Sequence, residues 1–143
     1  MKRIILTVAA LGMFAAAQRL EAQEFQVVVN AGASLTEISR KDLSNIFQKK
    51  KNELPSGERA NPVDLSADAD VRESFSQAVH GRSSNQIAAY WQQQIFSGRG
   101  VPPEEKGSDD EVIAYVSSTP GAIGYVSASA SLGSGVKTLT VSN

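Results

Sequence analysis

Cysteine is absent from this chain, histidine occurs once and aromatic residues make up only 6% of it. Without cysteine there is no disulfide, no thiolate nucleophile and no cysteine zinc site, so the fold must rest on packing. The lone histidine, His80, leaves no second imidazole for a histidine metal site or for paired imidazole chemistry. A dominant charge sign is missing too. The formal net charge is −1 over 143 residues, which provides no global electrostatic case for nucleic acid.

Long apolar runs are scarce, and the longest lies at the N-terminus. Lys2 and Arg3 precede "IILTVAALGMFAAA", Ile4 to Ala17. A charged start and a short apolar run read as a signal peptide. The run is too short for a comfortable membrane span, and Gln18, Arg19 and Glu21 close it. Cleavage is expected after Ala17 or after Ala22; an uncleaved anchor is the alternative. Residues 1–22 are therefore expected to be a signal peptide and 23–143 a single domain of roughly 120 residues, enough for one modest core. Removing Lys2 and Arg3 takes the net charge from −1 to −3 (−1 − 2), with Arg19 and Glu21 cancelling.

What is present is an alternation of strand-like and helix-like stretches. "EFQVVVN", Glu24 to Asn30, reads as a strand. "AGASLTEI" reads as a connection, after which Ser39 caps a helix over Arg40 to Gln48, burying Leu43, Ile46 and Phe47. Lys49, Lys50 and Lys51 form a solvated cluster at its end. "PVDL" is a short strand. Ser66 caps a helix to Val79 with Val71, Phe75, Ala78 and Val79 at i, i+4, i+7 and i+8, and Gly81 stops it. Ser83 or Ser84 opens a further helix with Ile87, Trp91 and Ile95 on one face. "GRGVPPEEKG" is a loop. Ser108 and Glu111 make a capping box for a helix through Val116. "AIGYV" and "VKTLTV" are the closing strands. The order β-α-β-α-α-α-β-β implies an α/β fold, a small central mixed sheet covered by helices.

The stretch "DLSADADVRESF", Asp64 to Phe75, carries the candidate site. A strand that feeds a helix presents unpaired N–H groups to an anion. Arg72 offers a forked donor, and Ser66 and Ser74 offer hydroxyls. The structural alternative is that Asp68 and Asp70 complement the helix dipole themselves, and that Asp68 pairs with a solvated Arg72 one turn on. Phe75 and Trp91 are spaced as core residues. Tyr90 points away from Trp91. His80, before Gly81, reads as a helix C-terminal residue favoured when protonated. Gly121 and Gly124 suit a turn and close packing, and Arg99 a solvated loop. No catalytic constellation is legible: "GAIGY" is not a nucleophile elbow, and Gly98-Arg99-Gly100 is not a phosphate loop. The chain reads as a non-enzyme without a cofactor.

Three segments carry a resemblance: "TPGAIGYV" after "DDEVIAYVSS", "LTEISRKDLSNIF" (Leu35 to Phe47), and "YWQQQIFSGRGVPP" (Tyr90 to Pro103). Together they resemble the phosphate-binding proteins of ABC transporters, within the type 2 periplasmic-binding-protein superfamily, in a short single-lobe branch. The resemblance implies one lobe of a periplasmic-binding-protein-like fold and a periplasmic, non-catalytic protein that binds phosphate or another small anion for transport or sensing. It implies a transporter or envelope protein as partner, and it sets Ser66, Arg72 and Ser74, the ligand-binding candidates, in the region that matches the family's anion grip. Two departures stand against the family pattern. The chain is long enough for one lobe only, and "SADADVRESF" lacks the Ser-Gly-Thr segment with which the family grips its anion. The other reading is an envelope protein–protein interaction module, a lobe that has lost its ligand.

Overall fold

The computed structural model describes residues 24–143, so the expected signal peptide lies outside the described residues. The strands are β1 Phe25–Asn30, β2 Glu37–Ser39, β3 Asn61–Leu65, β4 Glu104–Lys106, β5 Ala122–Ser127 and β6 Val136–Ser142. The helices are α1 Arg40–Phe47, α2 Asp70–Phe75, α3 Ser84–Phe96 and α4 Asp109–Ser118, and α2 runs on into a π-helical stretch, Ser76–His80. The sheet order is β2-β6-β1-β5-β3-β4. β1 is antiparallel to both β5 and β6, whereas β2 follows β6 and β3 follows β5 and β4 in parallel. β1 thus runs against the other five, and the C-terminal ends of those five share one edge of the sheet with Phe25. This is the mixed α/β architecture that the alternation of elements implies.

β2 and β4 fall where the sequence reads as connection and loop. Each has three residues and pairs on one side only, to β6 and to β3. A three-residue strand is too short to show a period, so only its neighbour defines it.

Both faces of the sheet are covered. On one face Tyr125 stacks on Phe75 with ring centroids 3.8 Å apart and planes 5° from parallel. Phe47 and Phe25 flank Phe75 at 4.8 and 5.4 Å. Such pairs add about 0.5–1.5 kcal/mol beyond the area they bury. On the other face α4 lies so close that a Cβ on Gly124 would meet Val63 Cγ1 at 2.8 Å and Val112 Cγ1 at 2.9 Å. Only glycine leaves room there.

Helix α2 departs from the expected helix in two ways. It starts at Asp70, with Ala69 in the cap position and no side-chain cap bond. Ser66 instead opens a turn, accepting from Ala69 N at 3.0 Å. Its buried face is also rotated. Arg72, Phe75, Ser76 and Val79 are buried, Val71 is half-buried and Ala78 is exposed. The physical reason is that Arg72 has ion partners inside, so a charged residue takes a place that apolar periodicity assigns to Val71.

The N-caps Ser39, Ser83 and Ser108 each accept a backbone N–H three residues on. At α3 the capping box is reciprocal with Gln86. At α4 Glu111 reaches back to Gly107 N, 2.7 Å, and not to Ser108 N. α3 buries Ile87 and Trp91 but not Ile95, which is 52% exposed, and Phe96 at its end is 91% exposed. The last turn of α3 thus leaves its apolar side chains largely in solvent. Among the described residues no helix is long and apolar enough to cross a membrane.

Candidate functional site

The parallel pairing of β3 with β4 sets Asp64 beside Glu105, and the pairing of Pro62 with Ile123 brings Tyr125 up on the other side. Three strand ends thus bring a carboxylate, a phenol and a second carboxylate together at the C-terminal edge of the sheet, where open α/β sheets commonly take ligands. α2 then returns over this edge and supplies Arg72.

Arg72 Nη1 donates to the Leu65 carbonyl at 2.9 Å and to Glu105 Oε1 at 2.5 Å. Its Nη2 lies 3.9 Å from Asp64 Oδ2. The Tyr125 hydroxyl donates to Asp64 Oδ1 and accepts from Leu65 N, the latter at 3.3 Å. Asp64 and Arg72 are 7% and 8% exposed, whereas the Glu105 side chain is 50% exposed.

The electrostatics follow from this burial. Loss of water raises the Asp64 carboxyl above its ordinary value; Arg72 and Tyr125 pull it part of the way back, and Glu105 pushes it up. Burial opposes the charge on Arg72, but the two carboxylates outweigh it and hold its pKa above the usual range. Burial and then Asp64 keep the Tyr125 hydroxyl protonated, as a donor. One guanidinium thus faces two carboxylates and is neutralised from within.

The three sequence-derived site residues do not share partners. Arg72 is neither solvated nor paired with Asp68; it is buried against Asp64 and Glu105. Ser66 Oγ lies 3.5 Å from Asp68 N. Ser74 Oγ donates to Glu24 Oε2 at 2.5 Å and lies 3.4 Å from the Asp70 carbonyl. Asp68 and Asp70 are exposed at the start of α2. Sequence reasoning missed Asp64, Glu105 and Tyr125 as partners of Arg72. A charged residue, Asp64, inside the otherwise apolar strand "PVDL" was the one local signal; Glu105 left none.

A second polar cluster corrects the reading of His80. Ser44 Oγ is 2.8 Å from His80 Nδ1, and Gln48 Nε2 donates to Ser44 Oγ at 2.9 Å. Burial, then the charges of Arg82 and Lys50, lower the His80 pKa from 6.5 to about 4. The ring is therefore neutral at pH 7, and its Nδ1 shares a hydrogen bond with the Ser44 hydroxyl. So weak a base does little to activate that hydroxyl for attack. Tyr90 is half-buried: its hydroxyl donates to the Gln48 carbonyl at 3.2 Å. The lysine cluster is engaged rather than free, with Lys51 on Asp42 at 3.1 Å and Lys50 over the Tyr90 ring at 5.6 Å.

No protein-family profile matches the chain, and no curated protein does. Solved structures do. An ABC-type phosphate transport receptor from Vibrio cholerae superposes with a TM-score of 0.64 at 17% identity, over 82% of this chain and 46% of the receptor. PstS from Borrelia burgdorferi gives 0.64 at 17% identity, over 82% of this chain and 47% of its own. The chain spans less than half the length of these proteins. At such identity the likeness establishes the fold: the six-stranded sheet and its helices match a lobe of a phosphate-binding protein.

Proposed function

We propose that this chain is an exported, non-catalytic binding protein built as a single lobe, and that it takes phosphate or another small anion at Arg72 in exchange for Glu105. The observation that carries the reading is the 2.5 Å contact between the buried Arg72 guanidinium and the half-exposed Glu105 carboxylate. A carboxylate oxygen on a guanidinium occupies the position of an oxyanion's oxygen. Asp64 stays behind as the buried orienting partner. Asp68 and Asp70 repel a dianion, so affinity at this edge is weak until a second chain closes over it. Residues 1–22 direct export to the periplasm in this reading, and a transporter or envelope protein provides the second wall.

Titration calorimetry of the wild-type protein and Glu105→Gln with phosphate and with sulfate tests it. The exchange reading expects at least a tenfold gain in affinity for the variant. Equal affinity in the two proteins, or no heat from either, ends it.

The second reading, an interaction module, is favoured by a different observation. Ile95, Phe96 and Val101 are 52%, 91% and 62% exposed around the end of α3, and an apolar surface of that kind serves protein contact. Crosslinking in the envelope, with Phe96→Ser as control, tests it; a protein that is recovered alone in both cases argues against docking.

A further inference from the structure

The end of α3 combines an apolar projection with a rim of cations. Ile95, Phe96 and Val101 are 52%, 91% and 62% exposed there. The chain turns at Gly98, in the left-handed region at φ +68°, and comes back along Trp91, where a Cβ on Gly100 would lie 4.0 Å from Trp91 Cζ3. Val101 is thereby kept beside the helix end.

The charge around this projection has one sign. Two stretches of chain meet here, because Lys49 Nζ donates to the Pro102 carbonyl at 3.4 Å and Lys50 Nζ stands over the Tyr90 ring at 5.6 Å. Residues 43–52 and 74–103 contain no aspartate or glutamate, although the chain as a whole has 15 acids against 14 bases. The charges that they bring to this end are those of Lys49, Lys50 and Arg99. None of the three takes part in an ion pair among the described residues. The groups that hold Lys49 and Lys50 are neutral, so both charges are placed without being cancelled. Lys51 is turned away to Asp42. Glu104 and Glu105, the first acids after Val101, are taken by Lys106 and Arg72 at 2.7 and 2.5 Å.

Lys49 holds its place under strain. Its φ is +54°, and no other residue but glycine takes a positive φ among the described residues. Glycine adopts this conformation after a helix freely. A lysine there sets a cation against the Pro102 loop despite the strain.

The sign of the charge narrows the occupant. A second copy of the chain would bring its own Lys49, Lys50 and Arg99 to the same surface, like against like. An anionic partner fits. Shape narrows it further. A folded protein needs a matching pocket for a ring as prominent as Phe96, whereas the acyl boundary of a bilayer yields to it. Apolar side chains rimmed by lysine and arginine are the composition of surfaces that lie in a membrane interface.

We propose that the end of α3 docks the protein on the surface of a bilayer rich in anionic phospholipid. Ile95, Phe96 and Val101 enter the acyl boundary, and Lys49, Lys50 and Arg99 meet the headgroup phosphates. This role rests on the part of the second reading above that makes the patch a docking surface, and it assigns lipid as the partner.

Vesicle flotation tests it, with residues 24–143, which hold every described strand and helix, so that the apolar run Ile4 to Ala17 does not itself bind lipid. The probes are vesicles of phosphatidylcholine alone and of equal parts phosphatidylcholine and phosphatidylglycerol. Binding to the mixed vesicles and not to phosphatidylcholine alone is expected, and added salt weakens it. Phe96→Ser and Lys49→Gln/Lys50→Gln should each weaken it by about tenfold or more. Lys49→Gly separates binding from folding: relief of the left-handed strain raises the unfolding midpoint, while loss of the cation lowers binding. No recovery of the wild-type protein with the mixed vesicles overturns the proposal, as does binding that Phe96→Ser leaves unchanged or that phosphatidylcholine alone supports equally. The docking reading fails separately. An envelope protein crosslinked to the wild type and not to Phe96→Ser, without vesicle binding, keeps the patch as a docking surface and ends the assignment to lipid. A lipid-free dimer that Phe96→Ser abolishes gives the patch to a second copy and ends it as well.

Discussion

Arg72 and Glu105, 33 positions apart in the chain, meet at 2.5 Å beside the end of β3. The contact is asymmetric, since Arg72 is almost wholly enclosed and Glu105 is half in solvent. Removing one member of a buried pair leaves an uncompensated charge, whereas removing a solvated one costs little. Arg72→Ala should therefore lower stability by about 3–5 kcal/mol, and Glu105→Gln by about 1 kcal/mol or less. Urea unfolding midpoints measure both. A loss in Arg72→Ala no larger than that in Glu105→Gln would contradict the enclosed network.

Tyr125→Phe removes the donor to a buried carboxylate and should cost about 1–3 kcal/mol. It also changes the pH profile. A carboxyl raised above its unfolded value of 3.8 stabilises the fold fully below that value, and this contribution fades as pH rises through the folded pKa. Without the Tyr125 hydroxyl the Asp64 pKa rises further, so the decline extends to higher pH. Denaturation of both proteins across the acid and neutral range shows the displacement, and superimposable pH profiles would exclude it.

His80 acts in the opposite direction. Its pKa falls from 6.5 unfolded to about 4 folded. The corresponding stability is complete above 6.5 and is lost as pH drops from there through 4, by up to about 3 kcal/mol. His80→Asn, which keeps a hydrogen-bonding group for Ser44, should remove most of this acid sensitivity. A variant as acid-sensitive as the wild type would show that His80 is not its source.

Gly124→Ala should cost about 1–3 kcal/mol through overpacking against Val63 and Val112. Gly121→Ala should cost more, because φ is +76° and the new Cβ would lie 2.0 Å from the Arg59 carbonyl oxygen. Gly133→Ala, with a similar φ of +70° and open space around it, isolates the backbone part. Thermal unfolding ranks the three, and a loss in Gly121→Ala no larger than in Gly133→Ala would mean that the contact with Arg59 contributes nothing.

Phe96→Ser should leave stability within about 0.5 kcal/mol, because the ring is 91% exposed. Any large change in midpoint would show that the end of α3 packs on something in solution.

Much of the fold was legible because it is local. Ser39, Ser83 and Ser108 mark helix starts by their own chemistry, and Gly81 adopts the left-handed conformation at a helix end. β1, β3 and β5 each carry a short apolar stretch, and β6 alternates. The candidate site was half legible. "DLSADADVRESF" contains Asp64 and Arg72, but the apparent partner, Asp68, was chosen because it lies one helical turn away. That spacing assumes a helix already formed at Asp68, and the helix starts only at Asp70.

The sequence by itself determined the alternation of strands and helices, their capped ends and an interior built without disulfides, because propensity, capping and periodicity act over a few residues. The tertiary structure decided what the charges do. Pairing β3 with β4 and β5 places Glu105 and Tyr125 around Asp64 and makes Arg72 an interior residue. Docking the π-helical stretch on α1 keeps His80 neutral. A pKa and a buried ion pair both depend on which distant groups share a low-dielectric space, and only the folded chain brings those groups together.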